Sequence, residues 1–391
     1  MREAVIVSGA RTAVGKAKKG TLANMRADDY AAETVKATLD RANFQDLDQI
    51  DDVIIGCAMP EAEQGMNMAR TISLLAGLPD EVPGITINRY CSSGLQSISY
   101  AAERILTGQA KTIIAGGAES MSQIPMGGHV IAPNSKIVEA RAEYYMNMGL
   151  TAEEVANRYS VSRADQDQFA VESQLKAAKA LQTGAFKEEI VPIEVKLRSV
   201  KDNRFVEKTV QFAQDEGVRA DTSIEGLGKL RPAFHVQGSV TAGNSSQMSD
   251  GAASVLVMDK EEALSRNLQP IAKFRSYAVT GCAPEIMGLG PIGAIPKALS
   301  MAGLKKEDIG LFEINEAFAA QALQVVRSLE LDIEKVNVNG GAIALGHPLG
   351  CTGTKLTLTL LHEMRRKNIQ YGVVSMCIGG GMGAAAVFEL C

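Results

Sequence analysis

Short runs of β-branched residues bounded by glycine recur through the first third of the chain, at 5–7, 53–55, 85–87 and 112–115. Uninterrupted apolar runs of this length predict strands buried on both faces. Between them, 26–43 keeps Tyr30, Thr34, Ala37 and Arg41 at helical spacing beside Val35 and Leu39, so strands and helices alternate as in an α/β fold. The last third repeats the series: strands at 271–277, 309–314, 336–338, 371–376 and 384–390, with a helix at 291–302 after the first. Ile85-Thr-Ile-Asn88 and Val336-Asn-Val-Asn339 each open a glycine-containing turn and a long helix. Gly251-Ala-Ala-Ser-Val-Leu-Val-Met258 likewise matches Gly383-Ala-Ala-Ala-Val-Phe-Glu-Leu390, yet the strand before the first of these ends near Gly117.

The economical reading is two homologous α/β halves, 1–118 plus 250–270 and 271–391, with a loop domain 119–249 interrupting the first. Such halves form a pseudo-symmetric pair that sets equivalent strand-to-helix turns opposite each other, with a site between them. The insertion carries a helical 151–183 and a polar tract 196–231, whose local excess of basic residues suits either a phosphorylated ligand or a solvated face.

Composition narrows the function. With 391 residues, 46% hydrophobic and 22% charged, the chain is long enough for two or three packed units and is neither disordered nor collagen-like. Lys+Arg 40 against Asp+Glu 45 gives −5, without the basic surface that nucleic-acid binding needs. No basic and apolar leader follows Met1, so a cytoplasmic protein is expected. The uncharged stretch 368–388 holds five glycines and several polar residues, too diluted to cross a bilayer, so no membrane partner is expected. Cysteines at 57, 91, 282, 351, 377 and 391 form no CxxC pair and read as free thiols, with neither a disulfide framework nor a metal centre.

Four segments carry candidate chemistry. In Asn88-Arg-Tyr-Cys-Ser-Ser-Gly-Leu95, Cys91 precedes a helix in which Leu95, Ile98, Ala102 and Ile105 share one face. Helix N-terminal N–H groups favour a thiolate, which makes Cys91 a candidate nucleophile with a lowered pKa; the bland alternative is a small core side chain. In Asn339-Gly-Gly-Ala-Ile-Ala-Leu-Gly-His-Pro-Leu-Gly350, Pro348 biases His347 toward extended backbone and the flanking glycines allow a tight turn. His347 is the best general-base candidate of four histidines: His362 reads as a surface residue, and His129 and His235 lack a partner motif. Cys377-Ile-Gly-Gly-Gly381 lacks the following helix and acidic residue of a dinucleotide fingerprint, and 341–348 lacks the Lys and Ser/Thr of a P-loop. Bare N–H groups at these glycines suit an oxyanion hole; a tight hairpin is the alternative. Asn315, past the strand 309–314, is either a water- or oxyanion-holding amide or an ordinary helix N-cap.

Taken in order, Asn88-Arg-Tyr-Cys-Ser-Ser-Gly-Leu-Gln96, Asn315-Glu-Ala-Phe318, the Gly-His-Pro-x-Gly core of 341–350 and Cys377-x-Gly-Gly-Gly381 resemble the four signature blocks of thiolases. The similarity, with 5–11 and Thr241-Ala-Gly-Asn-Ser-Ser246, spans essentially the whole chain. The resemblance implies a duplicated fold of two αβαβα layered halves and a ping-pong acyl transfer between 3-ketoacyl-CoA and CoA. Coenzyme A is then a co-substrate, no cofactor is tightly bound, and the protein is a homodimer or homotetramer. It implies Cys91 as nucleophile, His347 as its base, and His347 with a water on Asn315 as the first oxyanion hole. It further implies Cys377 as the second acid/base, and the N–H groups of Cys91 and Gly379 as the second oxyanion hole. By the same resemblance Met148 and Phe318 lie near the pantetheine, Ser246 contacts it, and Arg219 is near the nucleotide end. Gly56-Cys-Ala-Met-Pro-Glu-Ala-Glu-Gln-Gly-Met-Asn-Met-Ala-Arg70 looks like the degradative 3-ketoacyl-CoA branch. The short-chain biosynthetic acetoacetyl-CoA branch usually has His where Asn147 precedes Met148-Gly149. A ketoacyl synthase, which pairs its Cys with two His or His and Asn, and a silent acyl-CoA-binding protein are the rival readings.

Overall fold

The computed structural model describes residues 2–201 and 204–391. The first apolar run becomes β1, Ala4–Arg11, buried throughout. After it come β2 Gly15–Lys16, β3 Asp52–Gly56, β4 Gly84–Ile87 and β5 Thr112–Ser120. β6 Ile193–Lys201 and β7 Arg204–Phe212 pair only with each other. β8 Ser249–Asp259, β9 Ala272–Gly281, β10 Leu311–Ile314, β11 Tyr371–Ile378 and β12 Met382–Leu390 complete the strands. One mixed sheet runs β10-β11-β12-β9-β1-β8-β5-β3-β4, with β2 on β8.

The internal repeat is visible in that order. β8 pairs antiparallel with β1 and β5, as β12 does with β9 and β11. β3 joins β5 in parallel, as β10 joins β11. The two series meet where β1 runs antiparallel to β9 at Val5 opposite Lys273 and Ile6 opposite Ala272.

Successive strand residues point to opposite faces, which explains the uninterrupted apolar runs. Val5 and Val7 face an outer layer containing Tyr30, Val35 and Leu39 of the helix Ala27–Ala42, whereas Ala4 and Ile6 face a central layer. That central layer is the pair of helices Ser93–Leu106 and Thr352–Lys367, whose Leu95, Ile98, Leu356 and Leu360 pack with strand residues of both series. A second outer layer, helices Gly290–Ala302 and Ala319–Ser328, covers Phe312, Val373 and Val387. The central helices approach closely at their first turns, where Thr354 Oγ1 donates to the Gly94 carbonyl at 2.9 Å. A Cβ at Gly94 would strike the Gly350 carbonyl and one at Gly353 the Leu95 backbone, so both positions require glycine.

Three elements differ from expectation. The strand expected at 336–338 is reduced to a single bridge from Val336 to Phe312, because Asn337 turns the chain at φ 45°. Its amide instead holds the end of β10, accepting from Ile314 N–H and donating to Ile314 O, both at 2.8 Å. The helix expected at 151–183 is two helices, Met148–Arg158 and Arg163–Thr183, broken at Ser160 (φ 54°) and restarted by Ser162, which accepts from Asp165 N–H. Part of the polar tract is the β6–β7 ribbon, where Arg198 and Glu207 pair across the strands at 3.0 Å.

Arg11 fastens β1 to the inserted segment. Its guanidinium donates to Glu189 Oε1 at 2.7 Å and to both oxygens of Asp215 at 2.8 and 2.9 Å, all three side chains buried. Arg11→Met leaves two buried carboxylates without their cation and costs about 3–5 kcal/mol of stability, read as a lowered denaturant midpoint. A loss below about 1 kcal/mol would show that the cluster is not a structural tie.

Candidate active site

β4 ends at Ile87, and the chain turns through Asn88-Arg-Tyr into Cys91. Tyr90 sits at φ 43°, held by its N–H on Asn88 Oδ1 at 2.8 Å. Ser93 Oγ accepts Arg89 N–H at 2.9 Å and donates to the Tyr90 carbonyl at 2.7 Å, which closes the corner before the helix. Leu95, Ile98, Ala102 and Ile105 are fully buried, as their spacing requires. Cys91 is half-buried and packs with Ala58, Met59, Met121 and Leu349. The backbone N–H groups of Gly379 and of Cys91 itself lie near enough to its sulfur to favour the thiolate.

Gly379 opens the turn between β11 and β12, where Gly380 and Gly381 have φ of 80° and 87°. The tight hairpin and the N–H aimed at a reacting atom are therefore the same feature. Cys377, buried at the end of β11, lies near enough to Cys91 that a charge on one sulfur opposes ionisation of the other. The stretch 368–388 that resembled a diluted membrane segment is this central hairpin.

His347 follows Gly346, at φ 92°, after the short helix Ala342–Leu345. Its Nδ1 is 2.6 Å from Thr352 Oγ1 and its Nε2 3.2 Å from Asn315 Nδ2. Asn315 is not an N-cap: it is the first residue after β10, its N–H on the Ser375 carbonyl at 2.9 Å, and the next helix starts at Ala319. Its Oδ1 is buried without a hydrogen-bond partner among the described residues, so the amide has capacity for a water or a ligand.

Burial sets the protonation states. It pushes the Cys91 thiol up to about 11 against the two N–H groups that favour the anion, so the helix start does not lower this pKa as its position implied. Cys377 is also raised, first by burial and then by Cys91. Burial and then the charge of Lys355 bring His347 down to about 3. At neutral pH the site holds two thiols and a neutral imidazole.

The remaining sequence candidates divide. Met148 and Phe318 share an apolar cluster with Cys377, Met287 and Val240, and Met148 Sδ lies beside Gly379. Ser246 is half-buried, its N–H on the Ala317 carbonyl at 2.9 Å, next to that cluster. Arg219 is exposed, its N–H on Gln174 Oε1 at 2.8 Å, and makes none of these contacts. His129 and His235 are exposed; His362 is half-buried, 3.3 Å from Glu188, rather than a surface residue.

Two residues escaped sequence reasoning. Glu119 is buried and accepts from Ala58 N–H and Gly350 N–H, each at 2.8 Å, and from Gln64 Nε2 at 2.7 Å, tying the His347 loop to the loop over Cys91. A lone carboxylate closing the apolar run of β5 is the signal that marks it. Thr352, the first residue of its helix, carries no signal before the ring contact is seen.

The family model for the N-terminal domain of thiolase matches residues 4–261 and that for the C-terminal domain 268–390. The chain is 66% identical over 392 residues to a 3-ketoacyl-CoA thiolase of Bacillus subtilis (strain 168), covering 100% of each. It is 46% identical to a peroxisomal 3-ketoacyl-CoA thiolase 5 of Arabidopsis thaliana, covering 98% of this chain and 85% of that one. Among solved structures it is similar to the Bacillus anthracis acetyl-CoA acetyltransferase, at TM-score 0.90 and 40% identity, covering 100% and 99% of the two chains. Human mitochondrial 3-ketoacyl-CoA thiolase in complex with CoA gives TM-score 0.88 at 39% identity, covering 100% and 98%. With both domain models matched and relatives aligned end to end, the chain belongs to the thiolase family.

Proposed function

We propose that the chain cleaves 3-ketoacyl-CoA with CoA into acetyl-CoA and a shortened acyl-CoA, as a cytoplasmic enzyme of fatty-acid β-oxidation. The carrying observation is that Cys91, with Cys377 near it, packs against a cluster containing Leu349 of the loop that carries His347, whose ring meets Asn315. Cys91 gives its proton to His347 and attacks the 3-keto carbon. The bond to the neighbouring carbon breaks, acetyl-CoA departs as its enolate, and the acyl group stays on sulfur. His347, now protonated, and a water on Asn315 stabilise the thioester enolate; Cys377 protonates its carbon. The Cys91 and Gly379 N–H groups hold the acyl-enzyme oxygen, and one such donor is worth about 10²–10³ in rate. Cys377 then takes the proton of CoA, whose sulfur attacks the acyl carbon; Cys91 leaves as the thiolate and recovers its proton from His347.

In this reading 119–249 is the CoA-binding loop domain between the halves 1–118 plus 250–270 and 271–391. Met148 and Phe318 run along the pantetheine, Ser246 contacts it, and Arg219 meets the nucleotide end. The apolar cluster these first two share with Cys377 supports that path. Met59, Met121 and Leu349 beside Cys91 give the acyl chain an apolar wall, which favours the degradative over the short-chain biosynthetic reaction. β4 has a strand on one side only and exposes Ile85, which supports a homodimer or homotetramer that covers this edge.

Purified protein is expected to thiolyse 3-ketohexadecanoyl-CoA faster than acetoacetyl-CoA, and to sediment as at least a dimer at micromolar concentration. Cleavage of acetoacetyl-CoA alone would move it to the biosynthetic branch. Consumption of malonyl-carrier protein instead would make it a ketoacyl synthase, and binding without cleavage a silent acyl-CoA-binding protein. Monomeric sedimentation would remove the oligomer.

A further inference from the structure

We propose that Thr352 is the positioning residue that fixes the ring proton of His347 on Nδ1 and so leaves Nε2 as the base. Thr352 Oγ1 makes two short contacts inside the protein: 2.6 Å to His347 Nδ1 and 2.8 Å to the Pro348 carbonyl. A hydroxyl has one proton to give. If it went to Nδ1, the Pro348 oxygen would face a hydroxyl oxygen at 2.8 Å with no proton between them. If it goes to Pro348, Nδ1–H supplies the other contact and both are satisfied. The proton count therefore assigns Nδ1–H to Thr352 and the Nε2 lone pair to the side of Asn315, whose Nδ2 stands 3.2 Å away as a donor. Thr352 and His347 are both buried, so no solvent competes for either contact.

The same device closes the opposite corner of the site. Ser93, first residue of the other central helix, accepts from Arg89 N–H and donates to the Tyr90 carbonyl, so one hydroxyl bridges the turn that carries Cys91. Thr352 does this across the loop that carries His347. Each is followed by the glycine, Gly94 or Gly353, at which the helices touch. The hydroxyl thus belongs to the repeated corner of the fold, and on the second copy it has acquired the imidazole as its donor.

This inference rests on the proposed role of His347, and its test separates the two. Nitrogen-15 spectra of the histidine-labelled protein, with His347 assigned by its absence in His347→Ala, report which ring nitrogen is protonated without any turnover. The expected spectrum is a protonated Nδ1 and an unprotonated Nε2. Thr352→Val keeps the shape, removes the hydroxyl, and is expected to move protonation toward Nε2 and lower single-turnover acylation by about 10- to 100-fold, the range for a buried donor left unpaired. Thr352→Ser is expected to restore both. A wild-type spectrum with the proton on Nε2 overturns the proposal even if no variant folds. So does a folded Thr352→Val that keeps Nδ1–H and full activity. A wild type with Nδ1–H but no thiolysis leaves the assignment standing and sinks the reading of the function.

Discussion

Cys91→Ser is expected to lower thiolysis by about 10⁴-fold or more, with no acyl adduct at position 91 after exposure to 3-ketoacyl-CoA without CoA. The magnitude follows from the environment of the sulfur. Even a thiol is here pushed up to about 11 and needs the imidazole to release its proton. A hydroxyl starts several units higher, and neither Gly379 N–H nor the backbone N–H at 91 closes that gap. The corner itself is held by Asn88, Ser93 and the Tyr90 backbone rather than by the sulfur, so the variant keeps its fold. Peptide mass spectrometry checks both halves: wild type carries an acyl mass on the peptide containing Cys91, and the serine variant carries none. An adduct on Cys377 instead, or serine-variant turnover within about 100-fold of wild type, would show that Cys91 is not the nucleophile.

The parts of this site that were legible in the sequence are those fixed by local backbone chemistry. The β-branched runs announced β1, β3 and β5 because each strand is sandwiched between helices and needs apolar residues on both faces, whereas β4, expected to be buried the same way, is an edge strand that exposes Ile85. The glycines at 380, 381 and 346 marked turns because those positions have left-handed φ. What was not legible depends on tertiary packing. Asn337 ends a strand that its neighbours Val336 and Val338 announce, because its amide finds β10. The two helices of 148–183 share one periodicity, and only the φ at Ser160 separates them. The pKa of Cys91 went the other way from its helix-start position because desolvation by Met59, Met121, Leu349 and the facing hairpin outweighs two N–H groups. A dipole is a property of the helix and can be read from the chain; burial is a property of everything else that folds onto it.

That same balance sets the outcome at position 347. His347→Ala removes the group that takes the proton of Cys91, and the thiol must then ionise on its own at a pKa of about 11. Single-turnover acylation by 3-ketoacyl-CoA at pH 7, with no CoA present, is then expected to fall by about 10²–10⁴-fold, the range that a positioned base contributes. Because the deficit is one of ionisation, rising pH restores it: the variant gains about tenfold per pH unit between pH 7 and 9, as thiolate accumulates. Wild type should be flatter over the same range, since its imidazole, held down to about 3 by burial and Lys355, is already neutral there and the proton transfer is internal to the site. Leaving CoA out keeps its own thiol, and Cys377 as the group that deprotonates it, from contributing to the slope. A variant within tenfold of wild type at pH 7 would mean that His347 is not the base. A loss of the expected size with no pH slope would place the imidazole's contribution in the oxyanion hole with Asn315 rather than in the proton transfer.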